Sequence, residues 1–360
     1  MCEYYIGVMS GTSLDGVDVA LCGIDTHTCK LIEAYEHPFP KALKKEILHT
    51  IANDTSLKQL GELDVKLGEL FAEAINALLQ NSAISRKEIC AIGLHGQTLW
   101  HEPISTYPFS MQLGNANVVV AQTDISTVAD FRGADIANGG EGAPFAPAFH
   151  REIFARDDKN IAVVNIGGMA NITYLGKEFL GWDTGCGNVL MDSFIQKIEK
   201  KPYDRDGAFA KSGRLNMDLL QKMLKDSYFA KEPPKSTGRE YFNLEWLEKY
   251  LKNFVTVSDA DIQRTLLELT ASSIANAINR LQSDELILCG GGAKNSFLVE
   301  RLKKLCRCEV RKSDDYGMNS DFLEAMLFAW LAYKRLHNEK VPLSSITGAK
   351  KDSLLGAIYG

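Results

Sequence analysis

The chain has 360 residues, more than one hydrophobic core normally organises, so two domains or lobes are expected. Its 45% hydrophobic and 24% charged residues are those of a globular protein, and the net charge of −6 gives no bulk basic signal for nucleic acid or an anionic membrane. No apolar run approaches the ~20 residues of a membrane-spanning helix. The 8 cysteines are scattered, and Cys306-Arg307-Cys308 is too tight for a zinc pair, so reduced thiols in a cytoplasm are expected. The start, Met1-Cys2-Glu3-Tyr4-Tyr5, has no basic leader region and runs at once into a strand, which argues against a signal peptide.

In chain order, residues 4–9, 17–24 and 30–36 read as a three-stranded meander. Between the first two strands lies Ser10-Gly11-Thr12-Ser13-Leu14-Asp15-Gly16, running into Val17-Asp18. Glycine permits positive φ and close backbone approach, and such a turn points several N–H groups and hydroxyls at one spot, which suits a phosphate. The plainer alternative is an ordinary hairpin with a polar loop. Residues 40–52 and 57–81 read as helices; Leu60, Leu63, Leu67, Leu70, Phe71, Ala74 and Leu78 hold a spacing near 3.6. A short buried strand, 89–94, ends at His95-Gly96-Gln97-Thr98; helix 115–122 and strand 126–130 follow.

The pattern then restarts. Strand 160–166 ends in Gly167-Gly168-Met169-Ala170-Asn171, with strands at 172–175 and 178–182. Helices are expected at 187–199, 214–226, 243–253 and 259–281. Strand 286–289 ends in Gly290-Gly291-Gly292, and helix 295–305, strand 308–311 and helix 320–337 complete the order. Strand, glycine turn, strand, strand, helix, strand thus occurs twice, which implies an α/β fold with largely buried sheets. Two facing halves would make a cleft lined by all three glycine turns, since such turns after strands bind ligands in α/β proteins. The chain has neither the P-loop nor the dinucleotide fingerprint. It resembles instead the duplicated, two-lobed actin-like ATPase (ribonuclease H-like) architecture of actin, hexokinase and Hsp70. The first lobe is expected to span residues 1–130 plus 338–360, and the second 131–337.

Several blocks resemble a narrower family. Met9-Ser10-Gly11-Thr12-Ser13-Leu14-Asp15-Gly16-Val17-Asp18 is similar to the opening signature of anhydro-N-acetylmuramic acid kinases. Gly93-Leu94-His95-Gly96-Gln97-Thr98, Gln112-Leu113-Gly114, Ala129-Asp130-Phe131-Arg132 and Gly142-Ala143-Pro144 agree with it. So do Asn165-Ile166-Gly167-Gly168-Met169-Ala170-Asn171, Asp183-Thr184-Gly185, Lys235-Ser236-Thr237-Gly238-Arg239-Glu240, Gly290-Gly291-Gly292-Ala293-Lys294-Asn295 and Glu324-Ala325-Met326. The resemblance covers nearly the whole chain, in order. Two positions depart from it: Cys186 stands where similar sequences carry proline, and Glu141 where they carry glutamine. Neither departure removes a reacting group.

The resemblance implies an enzyme of peptidoglycan recycling that opens 1,6-anhydro-N-acetylmuramic acid with water and phosphorylates the freed O6 from ATP. Asp183 would then be the general base toward water; as a bare sequence feature it reads as a turn or helix-capping aspartate. Glu324 lies in a nearly all-apolar helix, where burial raises a carboxyl pKa and suits proton donation. Its alternative is a capping box with Asp321; the resemblance favours a role beside the sugar ring. Gly11, Thr12, Ser13, Leu14, Asp15, Gly16, Val17 and Asp18 would hold the ATP phosphates, Gly167 and Gly168 would form a second phosphate turn, and Gly290, Gly291 and Gly292 would approach the adenosine with Asn295 nearby. His95, Gln112, Arg132 and Asp135 would bind the sugar, Arg132 pairing with its lactyl carboxylate; an ordinary salt bridge is the alternative for Arg132.

Related sugar kinases begin the first strand with an acid for Mg²⁺, but this chain has Val8-Met9-Ser10 there. Asp15 or Asp18 would serve, or phosphate oxygens hold the ion, so the metal ligands stay open. A homodimer without nucleic-acid or membrane partners is a family-based expectation, as is closure of two lobes on the ligand. Three other readings compete. An ordinary hexose or N-acetylhexosamine kinase would need no water. An ATP-driven chaperone or filament protein would need a peptide-binding domain or assembly. A sugar-responsive repressor would need a helix-turn-helix before the first strand.

Overall fold

The computed structural model describes residues 2–11, 14–26 and 28–360; Thr12 and Ser13 of the first phosphate turn lie outside the described residues. Strands are β1 (Glu3–Met9), β2 (Gly16–Ile24), β3 (Cys29–Pro38), β4 (Ile89–Leu94), β5 (Gln97–Glu102), β6 (Phe109–Leu113), β7 (Thr127–Ala129), β8 (Ile161–Ile166), β9 (Met169–Leu175), β10 (Phe179–Cys186), β11 (Glu285–Cys289), β12 (Glu309–Lys312) and β13 (Ala357–Tyr359). Contacts divide the chain into a first unit, residues 1–153 with 317–360, and a second unit, residues 154–316.

In the first unit, the sheet order is β13-β7-β4-β1-β2-β3. The meander β1–β2–β3 is antiparallel, and β4 and β7 join in parallel. In the second unit the order is β10-β9-β8-β11-β12, again an antiparallel meander followed by two parallel strands. The repeat read from the sequence is therefore a repeat of topology. β8 and β11 are buried along nearly their whole lengths, as expected of strands covered on both faces.

The unit boundaries fall at 153/154 and 316/317, whereas the sequence placed them at 130/131 and 337/338. At the second boundary the difference is mostly the helix Leu323–Leu336. Gly7 and Gly93 stand side by side in the register of β1 and β4. A Cβ on Gly7 would run into the Ala325 carbonyl, and one on Gly93 into the Phe328 carbonyl. These two bare positions let the helix backbone lie directly on the sheet, and its Ala325–Tyr333 stretch is buried there. The helix therefore completes the first unit. Further elements absent from the sequence reading include the β5–β6 hairpin, the helix Ala146–Phe154, and β13, which pairs antiparallel with β7.

Each unit has its own core. Ile6, Val8, Val19, Leu63, Leu67, Phe71 and Ile92 centre the first. The helix Leu57–Asn81 supplies three of these from the apolar stripe seen in the sequence, and Ser56 with Gln59 closes a capping box at its start. Val164, Ile172, Leu190, Phe242, Leu266 and Leu288 centre the second.

Candidate active site

In the second unit, Asp183 is not on a turn after a strand, as its sequence context suggests; it lies within β10, which extends to Cys186. The register with β9 shifts between Asp183 and Gly185, so the strand bulges there. Gly185 sits at φ +150° with Phe229 against it, leaving no room for a side chain. The bulge turns Asp183 into a web of donors. Its Oδ1 accepts from the Asn171 amide on β9, and its Oδ2 accepts from the Thr237 N–H at 2.9 Å. Its backbone is fixed as well: the Asp183 N–H donates to the Lys235 carbonyl at 3.0 Å, and the Tyr228 hydroxyl donates to the Asp183 carbonyl at 2.9 Å. Burial raises the Asp183 carboxyl above its ordinary value, with the Thr237 and Asn171 donors pulling the other way. The result is a fixed, half-buried carboxylate with enhanced basicity, suited to taking a proton from water. The reading of Asp183 as a helix cap does not describe this geometry.

Gly167 and Gly168 form the two-residue corner between β8 and β9. Its carbonyls accept from the N–H groups of Gly187, Asn188 and Val189 at 2.8–3.1 Å, and the Gly167 N–H closes back on the Met169 carbonyl at 3.0 Å. A Cβ on Gly187 would strike the Gly167 carbonyl, so glycine is needed for this close approach. The Gly290–Gly292 corner follows β11, the parallel neighbour of β8. Gly290 takes φ +77°, and Asn165 and Ile166 lie against it; Gly292 packs on Ile166 beside Asn188. The two glycine corners thus meet at the C-terminal ends of adjacent parallel strands, where α/β sheets bind ligands. Asn295 caps the helix Ser296–Leu305, its Oδ1 accepting from the Leu298 N–H at 3.0 Å. Cys186 is fully buried in the core, and burial pushes its thiol up to about 12.

In the first unit, the corner after β1 is one residue shorter than the sequence implied, because Gly16 already belongs to β2 with Val17 and Asp18. Gly16 does not take positive φ; that conformation falls on Leu14, at +54°, whose N–H donates to the Gly11 carbonyl at 3.2 Å. Ser10 is buried and donates to Gln97 Oε1 at 2.7 Å, which ties this corner to the start of β5. Asp15 is exposed and paired with Lys44 at 3.1 Å. Asp18 is half-buried opposite Met9. Burial, then the negative charges of Glu36, Glu324 and Asp321, push its carboxyl up to about 7.

His95 and Arg132 form a pair. Arg132 Nη2 donates to His95 Nε2 at 2.9 Å and Nη1 donates to the Gly142 carbonyl at 3.0 Å. Because an arginine can only donate, His95 accepts at Nε2 and carries its proton on Nδ1. Burial and then the Arg132 charge lower the His95 pKa to about 3, so the ring is neutral and serves as a wall and acceptor. Arg132 Nε is buried with no hydrogen-bond partner among the described residues. Glu324 opens the helix Leu323–Leu336, but Phe322 occupies the capping position without a side-chain cap, so the capping box with Asp321 is not formed. Glu324 reaches solvent while being ringed by protein; the poor solvation raises its carboxyl, and the Arg132 charge opposes that.

Gln112 is on β6 and donates to Ser110 at 2.7 Å and Thr98 at 3.2 Å. Together with His95, Gly96, Asn115, Asp130 and Tyr359 it lines a cavity of about 510 Å³ within this unit. Asp135 is differently employed. Its Oδ1 accepts from Thr347 at 2.8 Å and its Oδ2 from the Gly142 N–H at 2.8 Å, so it braces the loop that holds Arg132. The sequence reading assigned no role to Gln97, Asn171 or Thr237, although all three lie in the blocks it singled out. Their signal was position beside glycine corners, not residue type.

No helix is long and apolar enough to cross a membrane among the described residues. A family model described as anhydro-N-acetylmuramic acid kinase matches residues 3–360. The chain is 53% identical over 367 residues to the anhydro-N-acetylmuramic acid kinase of Sulfurimonas denitrificans, covering 100% of both chains. It is 55% identical to that of a Sulfurovum species, covering 99% of each, and 48% identical to that of Vibrio cholerae, covering 99% of this chain and 98% of that one. Among solved structures, (R)-2-hydroxyglutaryl-CoA dehydratase component A from Acidaminococcus fermentans shares the fold, with a TM-score of 0.51 at 12% identity, over 93% of this chain and 99% of that one. Fold, motifs and relatives converge, and the chain belongs to the anhydro-N-acetylmuramic acid kinase family.

Proposed function

We propose that this protein is an ATP-dependent kinase that opens the anhydro bridge of 1,6-anhydro-N-acetylmuramic acid with water and phosphorylates O6, giving N-acetylmuramic acid 6-phosphate and ADP. The observation that carries the reading is Asp183, a carboxylate of raised pKa fixed by Asn171 and Thr237 on the unit that also bears the Gly167–Gly168 corner. Water attacks the anomeric carbon and gives its proton to Asp183. The C1–O6 bond breaks, and its electron pair stays on O6. O6 attacks the γ-phosphorus of ATP, and the bond to the β-phosphate oxygen breaks to release ADP. Relief of the bicyclic strain favours the opening. The protein contributes orientation and charge stabilisation.

Other roles follow from placement. Arg132, backed by neutral His95, offers a planar fork to the lactyl carboxylate, and Gln112 faces the adjacent cavity. Glu324, whose carboxyl is raised by burial against the opposing Arg132 charge, stands beside the ring. Asp135 supports the Arg132 loop instead of touching the sugar. Gly11 through Asp15, with Gly167 and Gly168, receive the phosphates; Gly290–Gly292 receive the adenosine, with Asn295 behind as a helix cap. No cluster of three metal-ligating side chains occurs among the described residues. The negative surroundings of Asp18 suit a cation. Mg²⁺ arriving on ATP would be held mainly by phosphate oxygens, with Asp18 as the protein carboxylate, and would neutralise phosphate charge. Association as a homodimer and residence in the cytoplasm belong to the same reading.

The test is mass spectrometry on the protein with ATP, Mg²⁺ and the anhydro sugar in ¹⁸O-labelled water. A product heavier by one phosphate and one labelled water, sampled before its anomeric hydroxyl exchanges, is expected. An unchanged sugar overturns the reading. A phosphorylated sugar without solvent oxygen would favour an ordinary sugar kinase.

A further inference from the structure

The Lys235–Glu240 block is a sequence motif for which the reading above supplies only two contacts, both to Asp183: the Thr237 N–H on its carboxylate and the Lys235 carbonyl on its N–H. Its other charged end lies against the second glycine corner. A Cβ built on Gly168 would come within 3.7 Å of Arg239 Nε and 3.8 Å of Arg239 Nη2, so the guanidinium lies alongside that corner. The Arg239 side chain is exposed. It feels Asp192, a half-buried carboxyl on the helix Val189–Glu199; burial pushes Asp192 up to about 6, with the Arg239 charge opposing and the Asp204 charge assisting.

The corner itself is poor in donors. The Gly167 N–H is spent on Met169, and the corner carbonyls take the N–H groups of Gly187, Asn188 and Val189, the last of which opens the helix Val189–Glu199. A phosphoryl group placed there meets too few amides to balance its charge. A cationic side chain beside it would share that task with Mg²⁺, and Arg239 lies at the corner. The same short segment, through Thr237, holds the Asp183 carboxylate. Thr237 Oγ1 is buried there with no hydrogen-bond partner among the described residues.

We infer that Arg239 is a further catalytic residue, which contacts the transferring γ-phosphoryl group at the Gly167–Gly168 corner and balances the charge on its equatorial oxygens. The inference rests on the kinase reading above. A planar fork of N–H donors fits two of those oxygens at once, which a lysine ammonium does not. Phosphoryl transfer depends on such positioned charge. Because the segment from Lys235 to Arg239 touches both the base and the phosphoryl site, it would set their relative positions.

The experiment compares the wild type with Arg239→Ala and Arg239→Lys, using ATP, Mg²⁺ and 1,6-anhydro-N-acetylmuramic acid. Arg239→Ala is expected to lower kcat by about 10² to 10³-fold, with both KM values within about threefold, and added guanidinium ions should raise its rate but not that of the wild type. Arg239→Lys should recover only part of the loss. A kcat for Arg239→Ala within about threefold of the wild type overturns the inference. So does a loss confined to the sugar KM, or a loss that guanidinium leaves unchanged. A wild type that forms no sugar phosphate overturns the kinase reading itself, whereas an active wild type with an indifferent Arg239→Ala overturns only the role of Arg239.

Discussion

The corners after the first strands of the two units occupy the same place in the same topology, yet they are built differently. In the first unit the chain takes six residues, Ser10 to Asp15, between β1 and β2, and ties the corner inward through Ser10 and Gln97. In the second unit two glycines suffice, and their carbonyls brace the next helix. The long corner carries its own polar groups. The short one is rigid, and on the proposed reading nearby segments supply the chemistry: Asp183 from a bulge, Thr237 and Arg239 from a loop. A repeated fold thus fixes where a ligand site can form, while the local backbone decides which residues must furnish it.

The largest expected effect bears on the second unit. Asp183→Asn keeps the shape and removes the base, and should lower kcat by about 10³-fold or more; product formation within about tenfold of the wild type would refute the assignment. In the wild type the base must be ionised, so kcat/KM falls as pH drops through its folded pKa. Since burial raises that pKa, the acid limb should lie above the ordinary carboxylate range. A pH–rate profile flat down to pH 4 would contradict it.

Glu324→Gln tests the first unit in the same assay. It retains a donor and removes the titration, so a loss of about tenfold in kcat/KM, smaller than for Asp183→Asn, is expected. A larger loss than that of Asp183→Asn would reverse the two roles. Gly93→Ala separates stability from chemistry. The added methyl meets the Phe328 carbonyl and should destabilise the first unit by about 1–3 kcal/mol, seen as a lower midpoint in denaturant. An unchanged midpoint would mean that the helix does not sit on this glycine.

The smallest effect concerns charge. Asp18 ionises near pH 7 in the folded chain and near 3.8 when unfolded, so the folded state binds the extra proton between those values. Stability attributable to this group is present below the unfolded pKa and is lost as pH rises toward 7. Asp18→Asn should therefore gain stability relative to the wild type from pH 4 to pH 7, by about 1–2 kcal/mol after solvent screening. A difference independent of pH would show that the carboxyl is not perturbed.

Local signals were enough for much of this molecule. The stripe from Leu60 to Leu78 predicted a helix over 57–81, and that is the helix observed. Strand 89–94 was likewise legible in full, and the motif blocks carried the family. Other features were out of reach for identifiable reasons. Asp183 reads as a turn residue because Asp-Thr-Gly is turn-like, yet pairing with β9 draws it into a bulged strand. Gly16 reads as a turn glycine, but pairing with Pro38 makes it the first residue of β2.

By itself, then, the sequence determined most of the order of strands and helices, the internal repeat and the membership of a kinase family, because periodicity and short motifs act over a few residues. Only the tertiary structure decided that the helix Leu323–Leu336 completes the first unit, that His95 is neutral beside Arg132, and that Asp183 is gripped by Thr237. Each depends on groups far apart in the chain being brought together, where close packing on a bare glycine, loss of solvent around an imidazole and a donated N–H act over a few ångströms.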